Sequence, residues 1–320
     1  MSINKKRRST GRVTLADVAQ LAGVGSMTVS RALRTPEQVS DKLREKIEEA
    51  VSQLGYLPNQ AASSLASASS NTIAMIVPSL SEAGCAEMFA GLQKVLRPAG
   101  YQSMLGESQH RIEREEKLLE TLLSYHLAAA ILLSVEHSAN FRQWLDNLTI
   151  PVLEIGALTD SPIDMNIGID YVEAMYQLTQ TVVAKGYQNI GMLCANQEQW
   201  IFQQHLQGWR KAMLKAHMSP HRVINAAEPA CFSTGAQQLP EFLLAWPEID
   251  ALVCVSDDLA CGALYECQRS RIKVPDELAV VGFGNSDVSK VCQPPLTTIA
   301  IPHKEIGVRA AQALLARIND

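Results

Sequence analysis

The chain has 320 residues, 47% of them hydrophobic, enough to bury the cores of two or three domains. No apolar run approaches the roughly 18 residues that a membrane helix needs, and the basic start MSINKKRRST has no apolar stretch behind it, so a soluble cytoplasmic protein is expected. The formal charge of -5 averages two unlike regions: residues 1–70 hold ten Lys/Arg against six Asp/Glu, and the remainder 18 against 27.

A basic head on an acidic body suits a phosphate-contacting module joined to a domain that does not touch nucleic acid. For Lys5, Lys6, Arg7 and Arg8 alone, a phosphate-binding arm and a plain solvated tail fit equally. From Thr14 the pattern sharpens. Thr14 and Asp17 are spaced as a capping box, and Leu15, Val18, Ala19 and Ala22 recur at helical spacing. Gly23-Val24-Gly25 breaks this first helix, Gly23 supplying a left-handed exit and Val24 plugging the gap to a second helix. There Val29 and Leu33 point inward, leaving Ser26, Met27, Ser30 and Arg31 outward, with Thr28 and Ser26 available to bases or phosphates. A third helix, capped by Ser40, is predicted over Asp41–Leu54 before Gly55. This is the outline of a helix-turn-helix, whose second helix presents its N-terminal residues to the major groove. Arg31 matches the paired acceptors of guanine, and Met27 matches a thymine methyl. An ordinary helical hairpin shares the outline, so the distinction falls to the segment after the third helix.

Tyr56-Leu57-Pro58-Asn59 leads into QAASSLASASS, residues 60–70, which has no charge and one large apolar side chain. It has too little glycine for a flexible linker and too few apolar residues for a packed helix. A hinge that becomes helical on DNA fits better: two copies pack through their alanines and wedge paired Leu65 side chains between base steps of the minor groove.

From Asn71 onward, short apolar runs alternate with helical patterns. Strands are predicted at Ile73–Val77, Ala129–Leu133, Val152–Ile155, Ile190–Cys194, Ala251–Val255 and Leu278–Phe283, and helices at Arg111–Ser124, Tyr171–Lys185, Ile201–Ala216 and Asp257–Ser270. The alternation predicts an α/β protein with parallel sheets in two lobes. Ligands of such sheets sit beyond the carboxyl ends of the strands, which singles out Pro78-Ser79, Ser134, Gly156, Asp170, Asn196, Ser256-Asp257 and Gly284-Asn285. These small polar residues suit a sugar or sugar acid. Expected boundaries are 1–58 for the head, 59–70 for the hinge helix and 71–320 for the core, with one lobe at about 71–167 and 300–320 and the other at about 168–299.

Other chemistry finds little support. Seven cysteines form no CxxC pair and read as core hydrophobes in a reducing compartment. Ser219-Pro220 breaks the helix that would align His217 with His221, so no metal is expected there. Gly282-Phe283-Gly284 lacks the third glycine of a dinucleotide fingerprint, and no phosphate loop or nucleophile elbow occurs, so neither a cofactor nor catalysis is expected.

The motifs TLADVAQLAGVGSMTVSRAL, LREKIEEAVSQLGYLPNQAA, SDDLACGAL, LAVVGFGNSDVS and PPLTTI together resemble the LacI/GalR family of bacterial repressors, from about Val13 to the last residue. The resemblance is nearest to the family's gluconate-utilisation members. It implies a homodimer on a palindromic operator and a periplasmic-binding-protein-like core that closes on a small effector. Thr14, Ser26, Met27, Ser30, Arg31 and Gln38 are then expected at the major groove or its phosphates, and Asn59, Ala62, Leu65 and Ala66 at the minor groove. Gly25 stands where the family has serine or threonine, which removes a side-chain cap. In the cleft, His205 replaces the usual arginine, and Gly284-Asn285 stand where an acid usually follows the aromatic. His205 is expected to donate to an effector carboxylate or hydroxyl, with Gln203 and Asn285 as neutral partners and Trp200 stacking on the sugar. Judged without the family, His205 reads as a surface histidine of a helix. Family members usually continue beyond the position of Asp320 for another strand, so a short or truncated chain is expected. The alternative function is a cytoplasmic sugar-binding or sugar-modifying protein whose N-terminal helices serve oligomerisation.

Overall fold

A computed structural model describes residues 13–57, 70–195 and 200–320, which fall into two compact units, Met1–Ser70 and Asn71–Asp320. In the first unit, α1 (Leu15–Ala22) opens with the expected capping box: the Asp17 amide donates to Thr14 Oγ1 (3.4 Å) and the Thr14 amide to Asp17 Oδ2 (2.7 Å). Gly23 takes φ +66°, and the Val24 amide closes back on the Ala19 carbonyl. α2 (Ser26–Arg34) starts at Gly25 with no side-chain cap. A 3-10 turn (Pro36–Gln38) leads to α3 (Asp41–Leu54), which ends in a left-handed Gly55. Ser40 holds the N-cap position of α3, but its hydroxyl makes no capping bond, so the expected cap is backbone geometry alone. Val18, Ala19, Ala22, Val29, Ala32, Ile47, Ala50 and Tyr56 form the buried centre, with Leu15, Val24 and Leu33 packed against it.

The second unit holds two five-stranded parallel sheets. The first lobe runs β1 (Thr72–Val77), α4 (Ala83–Leu96), β2 (Gln102–Glu107), α5 (Ile112–Leu123), β3 (Ala129–Leu132), α6 (Ala139–Leu145), β4 (Val152–Ala157) and β5 (Met165–Ile169), in the spatial order β2-β1-β3-β4-β5. The second runs α7 (Tyr171–Ala184), β6 (Ile190–Ala195), α8 (Trp200–Lys215), β7 (Val223–Ala226), α9 (Phe232–Ala245), β8 (Ala251–Cys254), α10 (Asp257–Arg269), β9 (Ala279–Gly284), α11 (Asp287–Val291) and β10 (Thr297–Ala300), in the order β10-β9-β8-β6-β7. The last helix, α12 (His303–Asn319), packs on α4 and also meets β4 and β5, so the chain ends on the first lobe.

All six expected strands form, because each is an interior strand flanked on both sides and reads as a largely apolar run, Glu154 of β4 being the charged exception. The four strands not expected, β2, β5, β7 and β10, are the sheet edges; β2 and β10 carry Gln102, Ser103, Glu107, Thr297 and Thr298 among their residues. Helices meet through glycines. A Cβ on Gly91 of α4 would lie 2.2 Å from the Lys304 carbonyl oxygen, and one on Gly307 of α12 would lie 2.2 Å from that of Met88. Gly235 and Gly262 play the same reciprocal part between α9 and α10, where a Cβ on either would lie 2.1 Å from a carbonyl oxygen of the other helix. The cysteines are free, and all but Cys231 are buried. No helix among the described residues is long and apolar enough to cross a membrane.

Candidate functional sites

On the head, α2 separates its residues as its period demands. Val29 and Ala32 are buried, while Ser26, Met27 and Arg31 are exposed, Met27 by 80%. Thr28 and Ser30 are half-buried beside them, and Thr14 and Gln38 are exposed on the flanking elements. An exposed methionine of this size on a helix without acidic residues gives that face an apolar tip and a cationic shoulder, formed by Arg31 and Arg34. Asn59, Ala62, Leu65 and Ala66, with the whole wedge reading, lie outside the described residues, as does Asn196.

In the core, the strand order reverses direction between β1 and β3 in one lobe and between β6 and β8 in the other. Loops leaving the carboxyl ends of those four strands define the candidate cleft. From the first lobe come Ser79, whose hydroxyl pairs with that of Ser81 (2.7 Å), and Ser134, whose Oγ accepts from the Glu136 amide (3.2 Å). Glu136 in turn reaches the other lobe: its Oε2 accepts from the Trp200 amide at the start of α8 (3.3 Å).

From the second lobe, Asp170 and Ser256 cap α7 and α10, accepting from the amides of Glu173 (2.9 Å) and Leu259 (3.2 Å). Asp257 is buried, and both its oxygens are occupied: Oδ1 accepts from Thr298 Oγ1 (2.6 Å) and Oδ2 from the Ser286 amide (2.5 Å). Thr298 Oγ1 also accepts from the amide of Asn285, an exposed residue with φ +57°. Asp257 therefore shapes the loop that presents Asn285 rather than offering a free carboxylate. Gln203 is exposed, while His205, two residues on, is only 5% exposed.

His205 is not the surface histidine that its isolated context suggests. Its ring lies edge-on to Tyr171 (5.3 Å) and to Phe283 (4.7 Å), and those two stack at 5.9 Å. Burial drives its pKa down to about 3, so the ring is neutral at physiological pH, and Nε2 has no hydrogen-bond partner. Tyr171 and Phe283 escaped the reading of strand ends: Tyr171 begins a helix and Phe283 lies within β9, where an aromatic is ordinary core. The only advance signal was the aromatic preceding Gly284.

Two further features were not foreseen. Glu82 meets His110 Nε2 at 2.5 Å, and Glu107 Oε1 accepts from the Leu80 amide (2.9 Å), placing carboxylates beyond β1 and at the carboxyl end of β2. Behind the Ser134 loop, His137 is enclosed with its side chain fully buried. Its Nε2 hydrogen-bonds Glu154 Oε1 (3.1 Å), and its Nδ1 lies 2.9 Å from Glu115 Oε1, out of line for a hydrogen bond. Scattered over three elements, Glu115, His137 and Glu154 have no spacing that would single them out.

Residues 14–59 match the family model described as bacterial regulatory proteins, lacI family, and residues 179–320 match that of a periplasmic binding protein-like domain. The chain is 37% identical to the HTH-type transcriptional regulator GntR of Escherichia coli over 309 residues, covering 96% of this chain and 92% of that one. Among solved structures, a LacI-family transcriptional regulator from Silicibacter pomeroyi superimposes with a TM-score of 0.90 at 30% identity, covering 96% and 93% of the two chains. A lac repressor dimer bound to operator and the anti-inducer ONPF superimposes with a TM-score of 0.83 at 25% identity, covering 96% and 93%.

Proposed function

We propose, from the premise that the chain belongs to the lacI family of bacterial regulatory proteins and is a DNA-binding transcriptional repressor, that it governs carbohydrate-utilisation genes and that gluconate releases it. It works in the cytoplasm as a homodimer. Two heads sit on a palindromic operator with half-sites about one helical turn apart, and the paired hinge segments occupy its centre. Effector bound between the lobes alters their placement, the hinges no longer pair, and repression ends. This requires unequal effector affinity for the two arrangements, with a coupling of about 1–3 kcal/mol. It acts as a regulator and not as an enzyme, a reading supported by its matched relatives, which are regulators.

The effector reading is carried by His205, a neutral imidazole held by Tyr171 and Phe283 with Nε2 unpaired. A buried polar atom without a partner is unfavourable unless a ligand completes it. His205→Ala is expected to weaken gluconate binding at least tenfold in calorimetry while leaving operator affinity intact; unchanged gluconate affinity removes His205 from the site.

For the head, Arg31→Ala is expected to cost about 1–3 kcal/mol of operator affinity and to relax base preference at one position of each half-site. A binding selection over randomised half-sites reads both effects, and a uniform loss across all sequences reassigns Arg31 to phosphate. The decisive test of the whole reading is a gel shift over a salt series with inverted-repeat oligonucleotides, with and without gluconate. No salt-sensitive preference for any inverted repeat ends it.

A further inference from the structure

We propose that His303 supplies the positive charge that an acidic effector needs: its imidazole takes up one proton from solvent as the carboxylate of the effector settles against it. This deepens the reading of the cleft as the effector site and rests on it.

Residues 78–82, 133–138, 196–199 and 255–256, which follow the four strands that define the cleft, include Glu82 and Glu136 but no Lys or Arg. A counter-charge for a sugar acid must then come from an imidazole. His110 and His137 are already held by carboxylates, and burial keeps His205 neutral, with a pKa of about 3. That leaves His303.

His303 opens α12 directly beyond β10, at the carboxyl end of the sheet of the second lobe. Its ring lies over Gly84 at the start of α4, the helix that follows β1 in the first lobe. A Cβ on Gly84 would stand 2.8 Å from the Cε1 of His303 and 2.9 Å from its Nε2. Neighbouring contacts tie this spot to His205. The Ile301 amide donates to the Gly284 carbonyl (3.4 Å), Phe283 stacks on Tyr171 and meets His205, and the charges of Cys85 and Glu82 act on the Tyr171 hydroxyl. Both imidazoles therefore border the same cleft. His303 Nδ1 is buried and has no hydrogen-bond partner, an unfavourable state that a ligand oxygen relieves.

Burial lowers the pKa of His303 from its ordinary 6.5, and the carboxylate of Glu87, one turn along α4 from Gly84, opposes that shift. The ring is thus neutral in the empty cleft at physiological pH. An effector carboxylate adds a second negative charge beside it, which favours the protonated form. Other groups around the ring do not compete for that proton. Cys85 is pushed up to about 12 and Tyr171 is raised as well, so neither titrates between pH 6 and 8. Glu82 is engaged by His110, and Lys304 and Glu305 of α12 are exposed. A neutral polyol brings no charge and recruits no proton.

Calorimetry of the full-length protein in two buffers of different ionisation enthalpy is the test. His303→Gln keeps a hydrogen-bonding group that takes no proton, and the methyl of Gly84→Ala displaces the ring. Wild type is expected to bind gluconate with uptake approaching one proton per site at pH 6.5, its affinity falling between pH 6 and 8 by up to tenfold per unit. Sorbitol is expected to show neither effect. His303→Gln is expected to unfold at the wild-type urea midpoint, to lose the uptake and the slope, and to bind gluconate at least tenfold more weakly at pH 6. Gly84→Ala is expected to show the same losses, and to add less than twofold to them in the His303→Gln background. Gluconate binding without proton uptake, or a pH slope that survives His303→Gln, overturns the proposal and leaves the cleft reading to His205. The same pattern with another hexonate supports it and makes gluconate the wrong effector. If no hexonate binds wild type, the cleft reading falls and the proposal with it.

Discussion

Replacing His137 with leucine is expected to destabilise the core by about 3–5 kcal/mol, the cost of stripping the counter-ion from buried carboxylates. Glu115 is 4% exposed and Glu154 not at all, and His137 lies between them. Burial alone opposes a charge on this ring, but the paired carboxylates of Glu115 and Glu154 outweigh it and raise the pKa to about 9 from an ordinary 6.5. That rise sets the sign of the pH dependence. A group whose pKa is higher in the folded state contributes fully below its unfolded pKa and is lost as pH rises through the folded one. The contribution is thus complete below about pH 6.5 and disappears by about pH 9, a change of ~3 kcal/mol. Urea denaturation of wild type between pH 6 and 10 is expected to show this alkaline decline, and His137→Leu to lack it. A variant within 1 kcal/mol of wild type, or one with the same alkaline slope, would show that the ring is not charged in the fold.

Gly91→Ala is expected to cost the core about 3 kcal/mol by overpacking a helix crossing. The added methyl would stand 2.2 Å from the Lys304 carbonyl oxygen and 3.1 Å from Gly307 Cα, both backbone atoms that no rotamer change can move. Either α4 or α12 must shift by more than an ångström. The apolar side chains around the crossing, Leu92, Leu96, Ala310, Ala311 and Leu314, are all fully buried and would lose their contacts together. Since α12 is the segment by which the chain returns to the first lobe, that lobe is expected to open first. Faster hydrogen exchange in α12 than in α9, together with a lower urea midpoint, is the expected result. A midpoint shift worth less than 1 kcal/mol would mean that the two helices part freely.

The head was legible almost residue by residue, because its determinants are local. A capping box spans three residues, a left-handed glycine ends a helix where it stands, and Val18, Val29 and Leu33 declare their side by period alone. Likewise the α/β class could be read from interior strands such as Ile73–Val77, where flanking on both faces leaves no polar position. The edge strand Gln102–Glu107 could not, since one side of its ladder is unpaired and its side chains answer to water as much as to the core. The strand-end rule singles out Ser79, Ser134, Asp170, Ser256 and Asn285, but it does not distinguish a ligand contact from the helix-capping roles that Asp170 and Ser256 hold.

Local patterning along the chain thus determined a three-helix head and two parallel-sheet lobes, because hydrogen-bonding and periodicity act over a few residues. Tertiary structure alone decided the rest. It brought Glu115, His137 and Glu154 from three elements into one buried ion cluster, set His205 edge-on against the stacked Tyr171 and Phe283, and laid Glu136 across to Trp200. Each of these is a contact between side chains or backbone far apart in sequence, whose energies come from desolvation, ring packing and charge pairing that exist only once the separate elements have packed together.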